Sequence, residues 1–407
     1  MKQGKALSEV LAELQRQNKM KLDYVAPAQA FHLEDDGETF ILKHNDGTRK
    51  AFNTTDLFHR QIGSTLEIPA KYYDAMRKKK PELLARNVNA WFGDREQSYM
   101  IRSLGYCSES YEKTADAVAA TVAATVAAAT DVADVIDVEI VGAEKEIITD
   151  EGNKSKSKSN VIGVARALLS DRYRRIDNTE IATAVLPLFA GQEGMEVVSS
   201  AVTPQRLYLK VVNHRLEQEV VPGDIVQAGV VISNSEVGLG AVSVQPLVYR
   251  LVCSNGLITN DFGERRTHIG RTLETVEDTF HIYSTDTLEA ENKAFMLKLR
   301  DATLSAIEET RFAMIVGKLR DSKEAKITGH VQDVVELTSK TYGLNQGEQE
   351  SILDYLVAGG DLSLYGLSNA VTRASQDVES YDRATELESI GWQVATMPPR
   401  QWHEFNR

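Results

Sequence analysis

Residues 231–258 read VISNSEVGLGAVSVQPLVYRLVCSNGLI, and the fold turns on this stretch. Two β-rich runs flank a turn-forming segment at residues 234–240, and Asn255-Gly256 closes the second run. β-branched residues dominate both runs, as a pleated, half-buried surface favours. Just upstream, Pro222-Gly223 turns the chain into a strand over residues 224–233, and residues 241–253 return antiparallel to it. Pro246 lies inside the returning strand; lacking an amide hydrogen, it implies an edge position or a bulge. Further upstream, residues 195–202 and 205–212 form a hairpin around Thr203-Pro204. The result is an antiparallel meander of four to five strands.

Cations gather on both sides of this meander. Arg166, Arg172, Arg174 and Arg175 precede it; Arg265, Arg266, His268 and Arg271 follow it. In the hairpin's second strand Leu207, Leu209 and Val211 share one face, and Arg206, Tyr208 and Lys210 share the other. Guanidinium forks suit phosphate oxygens, and a ring such as Tyr173 or Tyr208 suits base stacking. The competing reading pairs the same cations with neighbouring carboxylates such as Asp171, Asp177 and Glu264. Two clusters flanking one sheet favour an anion-binding surface.

The composition frames this. The 407 residues suffice for two or three domains with a buried core, and the net charge of -13 excludes a protein that is basic overall. The acid excess is concentrated C-terminally: residues 276–407 carry -9, whereas residues 160–275 carry -1. Cys107 and Cys253 are too few for a disulfide framework or a zinc site. Neither a signal-peptide core nor a membrane-length apolar run is present, so no membrane role is expected.

Along the chain, residues 4–20 suit an amphipathic helix with Leu7, Val10, Leu11 and Leu14 on one stripe. Residues 39–42 pair with 49–52 across Asn45-Asp46-Gly47, and Thr54 or Thr55 caps the helix that follows. A helix after Pro69 ends in Lys78-Lys79-Lys80, a solvated run or a phosphate contact, and Pro81 restarts it. Residues 97–106 suit a strand. Residues 114–160, rich in Ala and Val and ending in a Lys/Ser linker, look like an insertion. Residues 165–169 suit a helix. Asp286 caps a long helix running to about Leu319, with Phe295, Leu299, Ala302 and Ala306 on its buried stripe. Further helices end at Gly343, at Gly359-Gly360 and at Gly391.

The expected architecture is α+β: an antiparallel β-meander packed on a long helix, with an N-terminal α/β part and a C-terminal helical bundle. Its parts are residues 1–113, the insertion 114–160, the central sheet and helix 161–320, and an acidic bundle 321–407. No P-loop, dinucleotide fingerprint or zinc spacing occurs, so neither cofactor nor metal is expected. Residues 366–370 only faintly resemble a nucleophile elbow, and Cys253, His268 and His281 have no visible catalytic partner.

Residues 165–178 (ARALLSDRYRRIDN), the opening stretch, RRTHIGR at 265–271 and residues 363–388 together resemble a phage- and plasmid-encoded family known only as a domain of unknown function, number 932, and residues 68–92 (IPAKYYDAMRKKKPELLARNVNAWF) resemble its N-terminal part. The resemblance implies a mobile-element origin and a host cytoplasm, and it supplies no catalytic residues. The order of elements, a meander followed by a packed helix, is similar to the core of phage single-strand annealing recombinases, which form rings and hold DNA without a nucleotide cofactor. The function expected is therefore a non-enzymatic, homo-oligomeric, ring-forming protein that binds single-stranded nucleic acid. Its contacts would be Arg172, Tyr173, Arg174, Arg175, Arg206, Tyr208, Lys210, Arg265, Arg266, His268 and Arg271. The alternative is a structural or host-takeover assembly protein that touches a host protein and no nucleic acid.

Overall fold

The structure is a computed structural model, and it describes residues 1–106, 161–260, 264–266 and 285–406 apart from positions 3, 45, 172, 174 and 191. The segment 114–160, with Cys107, His268, Arg271 and His281, lies outside the described residues, as do Arg172 and Arg174. Two sheets organise the rest, and the class is α+β.

The first sheet draws on both sides of residues 107–160. It contains β1 (Lys21–Pro27), β2 (Phe31–Leu33), β3 (Thr39–Lys43), β4 (Arg49–Thr54), β5 (Ser98–Gly105) and β6 (Val161–Ser170), in the order β1-β5-β6-β4-β3-β2. The β3–β4 hairpin forms as its turn signal predicts. β6 corrects the helix expected at residues 165–169. It is a central strand, antiparallel to β5 and parallel to β4, with Ala165 and Leu168 in one hydrophobic cluster and Ala167 and Leu169 in another. A short, continuous apolar run looks alike as a buried strand or a buried helix. Gly163 favours the strand, because a Cβ there would collide with the Leu104 carbonyl of β5.

Three helices pack on one face of this sheet: α2 (Asp56–Thr65), α3 (Ala70–Lys79) and α4 (Pro81–Gly93). The Thr55 hydroxyl caps α2 by accepting from the Phe58 amide. Phe31, Phe40, Phe52, Phe58 and Phe92 fill the interface, with Phe40 and Phe58 edge-to-face at 4.9 Å.

The second sheet is the meander itself: β7 (Met195–Val202), β8 (Leu207–Glu219), β9 (Ile225–Asn234), β10 (Val242–Arg250) and β11 (Asn255–Ile258), each paired with the next. A short β12 (Glu264–Arg266) also pairs with β10. Two local readings change. Asn255-Gly256 opens β11 instead of closing the preceding run, and the reversal falls on residues 251–254, where Ser254 adopts φ 51°. Pro246 occupies neither an edge nor a bulge. Its carbonyl accepts from the Thr259 amide, so its missing N–H faces the side of β11 and β12. There it falls between the β12 pairings of residues 242–244 and the β11 pairings of 247–250.

Helices cover both faces of the meander. Leu207, Leu209, Val211, Val230 and Ile232 bury against α1 (Leu7–Met20), α5 (Asn178–Val185), α6 (Pro187–Ala190) and α7 (Thr285–Ala306). Further along the same strands, Val226, Ala228 and Val248 bury against α8 (Glu309–Glu324), α11 (Leu364–Ala374) and α12 (Tyr381–Ala395). The single long helix expected to reach Leu319 is thus two. The chain breaks after Ala306 and moves on to another part of the same strands, so Phe295 and Leu299 serve one core while Phe312 and Leu319 serve the second.

The C-terminal bundle comprises α9 (Val331–Tyr342), α10 (Gln346–Gly359), α11, α12 and α13 (Pro399–Phe405). Gly343 and Gly360 end α9 and α10 in left-handed conformations, as predicted. Gly391 ends nothing. It lies inside α12, where a Cβ would run into the Thr372 methyl of α11, so it sets the close approach of two helices. Among the described residues no helix is long and apolar enough to cross a membrane.

Candidate nucleic-acid interface

Strand β8 alternates as expected, but its polar face is not open. Lys210 is completely buried and ion-paired at 2.6 Å with Glu388 of α12, itself completely buried. Its ammonium also sits 4.9 Å from the centre of the Tyr381 ring. Tyr208 is 5% exposed and donates to Asp382 at 2.8 Å. Burial, then the Asp382 carboxylate, holds its phenol far above the ordinary range. The Ser199 and Tyr381 hydroxyls bond at 2.6 Å beside them. Tyr208 and Lys210 therefore offer neither a stacking ring nor a phosphate contact. They fasten the sheet to a helix about 170 residues later in the chain. The sequence carries a weak sign of this, a lysine inside an otherwise apolar strand, which is affordable only with a buried counter-charge.

Arg166, before the meander, is drawn inward in the same way. The turn at residues 234–240 plugs into the first sheet, with Val237 fully buried among Met100, Ala167 and Leu169. Gly238 (φ 77°) leaves room for Leu169. Arg166 pairs with Glu236 at 3.2 Å, and Tyr173 donates to the Ser235 carbonyl at 3.0 Å. At the centre is Arg102 of β5, 1% exposed, which donates to Asp177 and to the Glu236 carbonyl and stands 3.5 Å from Asp23. The two carboxylates respond oppositely. Burial raises Asp23 despite Arg102, whereas at Asp177 burial is outweighed by Arg102 and Lys21 and its proton affinity falls. Sequence reasoning missed Arg102, whose one sign is an arginine in the apolar run of β5. Arg175 is half-exposed and 3.7 Å from Asp23.

A polar cleft about 710 Å³ in volume lies beside the sheet, between β8–β11 and α12. Its walls include Ser233, Ser243, Gln245 and Ser389, together with Arg206, Tyr208, Asp382 and Arg383. Arg383 is committed, bonding Glu348 and Glu386 at 2.7 Å each. Arg206 is not. Its guanidinium lies over Gly240 and donates to the Leu239 carbonyl, and no carboxylate is within ion-pair distance of it among the described residues. The Thr385 hydroxyl in the wall has no hydrogen-bond partner. β12 stands against the same strand as the cleft: Arg265 pairs in register with Ser243, and Arg266 with Val242. The structure thus brings Arg206 and the backbone of Arg265 and Arg266 to one place, while Arg175 and Tyr173 belong to the inter-sheet network.

Other polar groups have structural roles. Arg250 grips Asp224 through two bonds of 2.6 and 2.7 Å, and Tyr365 donates to the same carboxylate. Residues 366–370 are helical, with Ser368 buried and bonded to the Gly391 carbonyl, unlike a nucleophile elbow. Among the described residues no group of three or more His, Cys, Asp or Glu side chains is arranged to hold a metal ion.

Residues 166–388, more than half of the chain, match the family described as Domain of unknown function (DUF932). The chain belongs to this family. The DUF932 match begins in β6 and ends in α12, so it includes the whole meander, its covering helices α5 to α8, and both partners of the Lys210–Glu388 and Arg166–Glu236 pairs. Strands β1–β5 and helices α1–α4 lie outside it. No curated protein and no solved structure matches the chain.

Proposed function

We propose that this DUF932 protein is a phage- or plasmid-encoded, non-enzymatic protein of the host cytoplasm that assembles into oligomeric rings and binds single-stranded nucleic acid, in the manner of single-strand annealing recombinases. One observation carries the reading: Arg206, without a carboxylate partner among the described residues, lines a cleft beside the strand against which Arg265 and Arg266 are paired. A guanidinium fork on a hydroxyl-lined cleft suits a phosphodiester backbone, with Ser233, Ser243 and Gln245 hydrogen-bonding sugars and base edges. Binding of a labelled oligonucleotide, followed by anisotropy at low and moderate salt, tests it. Replacing Arg206, Arg265 and Arg266 by Ala is expected to weaken binding and to flatten its salt dependence by about 0.7 in log–log slope per lost phosphate contact. Unchanged affinity and slope would remove the cleft from the interface. Size analysis with and without the strand tests assembly.

A second reading has its own support. Arg102, Arg166 and Lys210 are neutralised indoors by carboxylates, as in an assembly protein whose cations are internal struts and whose partner is a host protein. Failure of the purified protein to bind any oligonucleotide at low ionic strength would favour it.

A further inference from the structure

The α3–α4 hairpin has a composition opposite to that of the chain. Residues 70–95 carry seven Lys or Arg against three Asp or Glu, a local charge of +4 in a protein of -13. Its inner face is core: Tyr73, Met76, Leu84, Val88 and Phe92 are all buried. Its outer face presents Lys71, Lys78, Lys79, Lys80 and Arg86, all exposed, and none has a carboxylate within 4 Å among the described residues. Arg77, in the same helix, shows the contrast, with bonds of 2.8 Å to Glu38 and 2.7 Å to Asp56. Lysines in the last turn of α3 complement its dipole, which accounts for part of the pattern.

The dipole does not account for the aromatic rings. Tyr72 is 56% exposed and Trp91 50% exposed. Tyr72 and Lys79, seven apart, share one stripe of α3, and Leu83 and Trp91, eight apart, share one stripe of α4. Large rings left in water among unpaired cations match what a single strand requires: cations for its phosphates and flat faces for its bases. An amphipathic membrane anchor needs instead a continuous apolar face, which is lacking where lysines and Arg86 separate Tyr72, Leu83 and Trp91.

We infer that the outer face of the α3–α4 hairpin is a binding surface for single-stranded nucleic acid, with Lys71, Lys78, Lys79, Lys80 and Arg86 on phosphates and Tyr72 and Trp91 stacking on bases. The class of ligand rests on the function proposed above; the location is new, separate from the sheet cleft and outside the residues that match the family.

The test uses the full chain and a labelled oligothymidine. Trp91 is the exposed tryptophan, since Trp392 and Trp402 are 1% and 9% exposed, so stacking is expected to quench the intrinsic emission on binding. Trp91→Phe should abolish that quench. Changing Lys78, Lys79 and Lys80 together to Ala should lower affinity about tenfold or more and flatten the salt slope by about 2, three contacts at roughly 0.7 each. If the wild-type protein binds the strand and both variants behave as wild type, with the same slope and the same quench, the hairpin assignment is overturned and the proposed function stands. If the wild-type protein binds no strand at low salt, both are overturned. A Trp91 emission shift with phosphatidylserine vesicles but not with oligothymidine would overturn it in favour of a lipid surface.

Discussion

Lys210 and Lys79 are the same residue in opposite situations. Lys210, in β8, is completely buried and ion-paired; Lys79, at the end of α3, is exposed and has no carboxylate partner among the described residues. The contrast extends to their surroundings. Around the meander the described cations mostly point inward to Glu236, Asp177 and Glu388, and they join separate layers. On the α3–α4 hairpin the lysines stand in water. A cluster of cations in sequence reports charge density but not access. Access is set by whatever part of the chain covers that face.

The largest effect is expected where the buried pair is broken. Lys210→Ala leaves Glu388 charged in the core, where its Oε1 already has no hydrogen-bond partner. Removing one partner of such a pair costs about 3–5 kcal/mol, read as a fall in the urea midpoint. The double variant Lys210→Met with Glu388→Leu should recover most of that loss, because two apolar side chains of similar size need no counter-charge. If the double variant is as unstable as the single one, Lys210 and Glu388 do not act as a pair.

The same logic explains what the sequence could convey. The period-2 alternation of β8, the β3–β4 turn and the glycine stops after α9 and α10 were legible because each is fixed within a few residues. Coverage was not. Nothing local to Arg206, Tyr208 and Lys210 says that α12 lies on their face, so of the three only Arg206 keeps a cation available to a ligand. β6 reads as helix because its second neighbour, β4, is more than a hundred residues earlier. The break between α7 and α8 separates helices that serve two cores along the same strands, a division no helical periodicity encodes. Arg102, which touches both sheets' elements, has as its sequence sign only its place in an apolar strand.

A smaller, pH-dependent effect separates a buried neutral base from the buried charged pairs. His59 is 1% exposed, bonded to the Tyr73 hydroxyl at 2.8 Å and the Thr54 hydroxyl at 2.7 Å. Burial, then the positive charge of Arg77, lowers its pKa to about 4. The unfolded chain, with His near 6.5, therefore binds more protons than the folded one between these values. Stability is full above pH 6.5 and is lost as the pH falls toward 4, by about 2 kcal/mol between pH 7 and pH 5. Urea midpoints across this range should show the decline, and His59→Gln should flatten it. A decline of the same slope in the variant would assign it to the carboxylates instead.

The smallest effect should come from removing the most charge. Among the described residues Lys78, Lys79 and Lys80 touch no carboxylate, so their replacement by Ala breaks no ion pair there and leaves no charge stranded in the core. What is lost is the favourable position of Lys78 and Lys79 in the last turn of α3, a few tenths of a kcal/mol that salt already screens, and Ala returns part of it through helix propensity. Three lysines removed from the hairpin are thus expected to move stability by about 0.5 kcal/mol or less, while one removed from β8 moves it several times as far. The urea midpoint of the triple variant, set beside that of Lys210→Ala, measures the comparison directly. A loss of more than about 1 kcal/mol in the triple variant would mean that these lysines hold the fold together, and a surface that holds the fold is not free to hold a ligand.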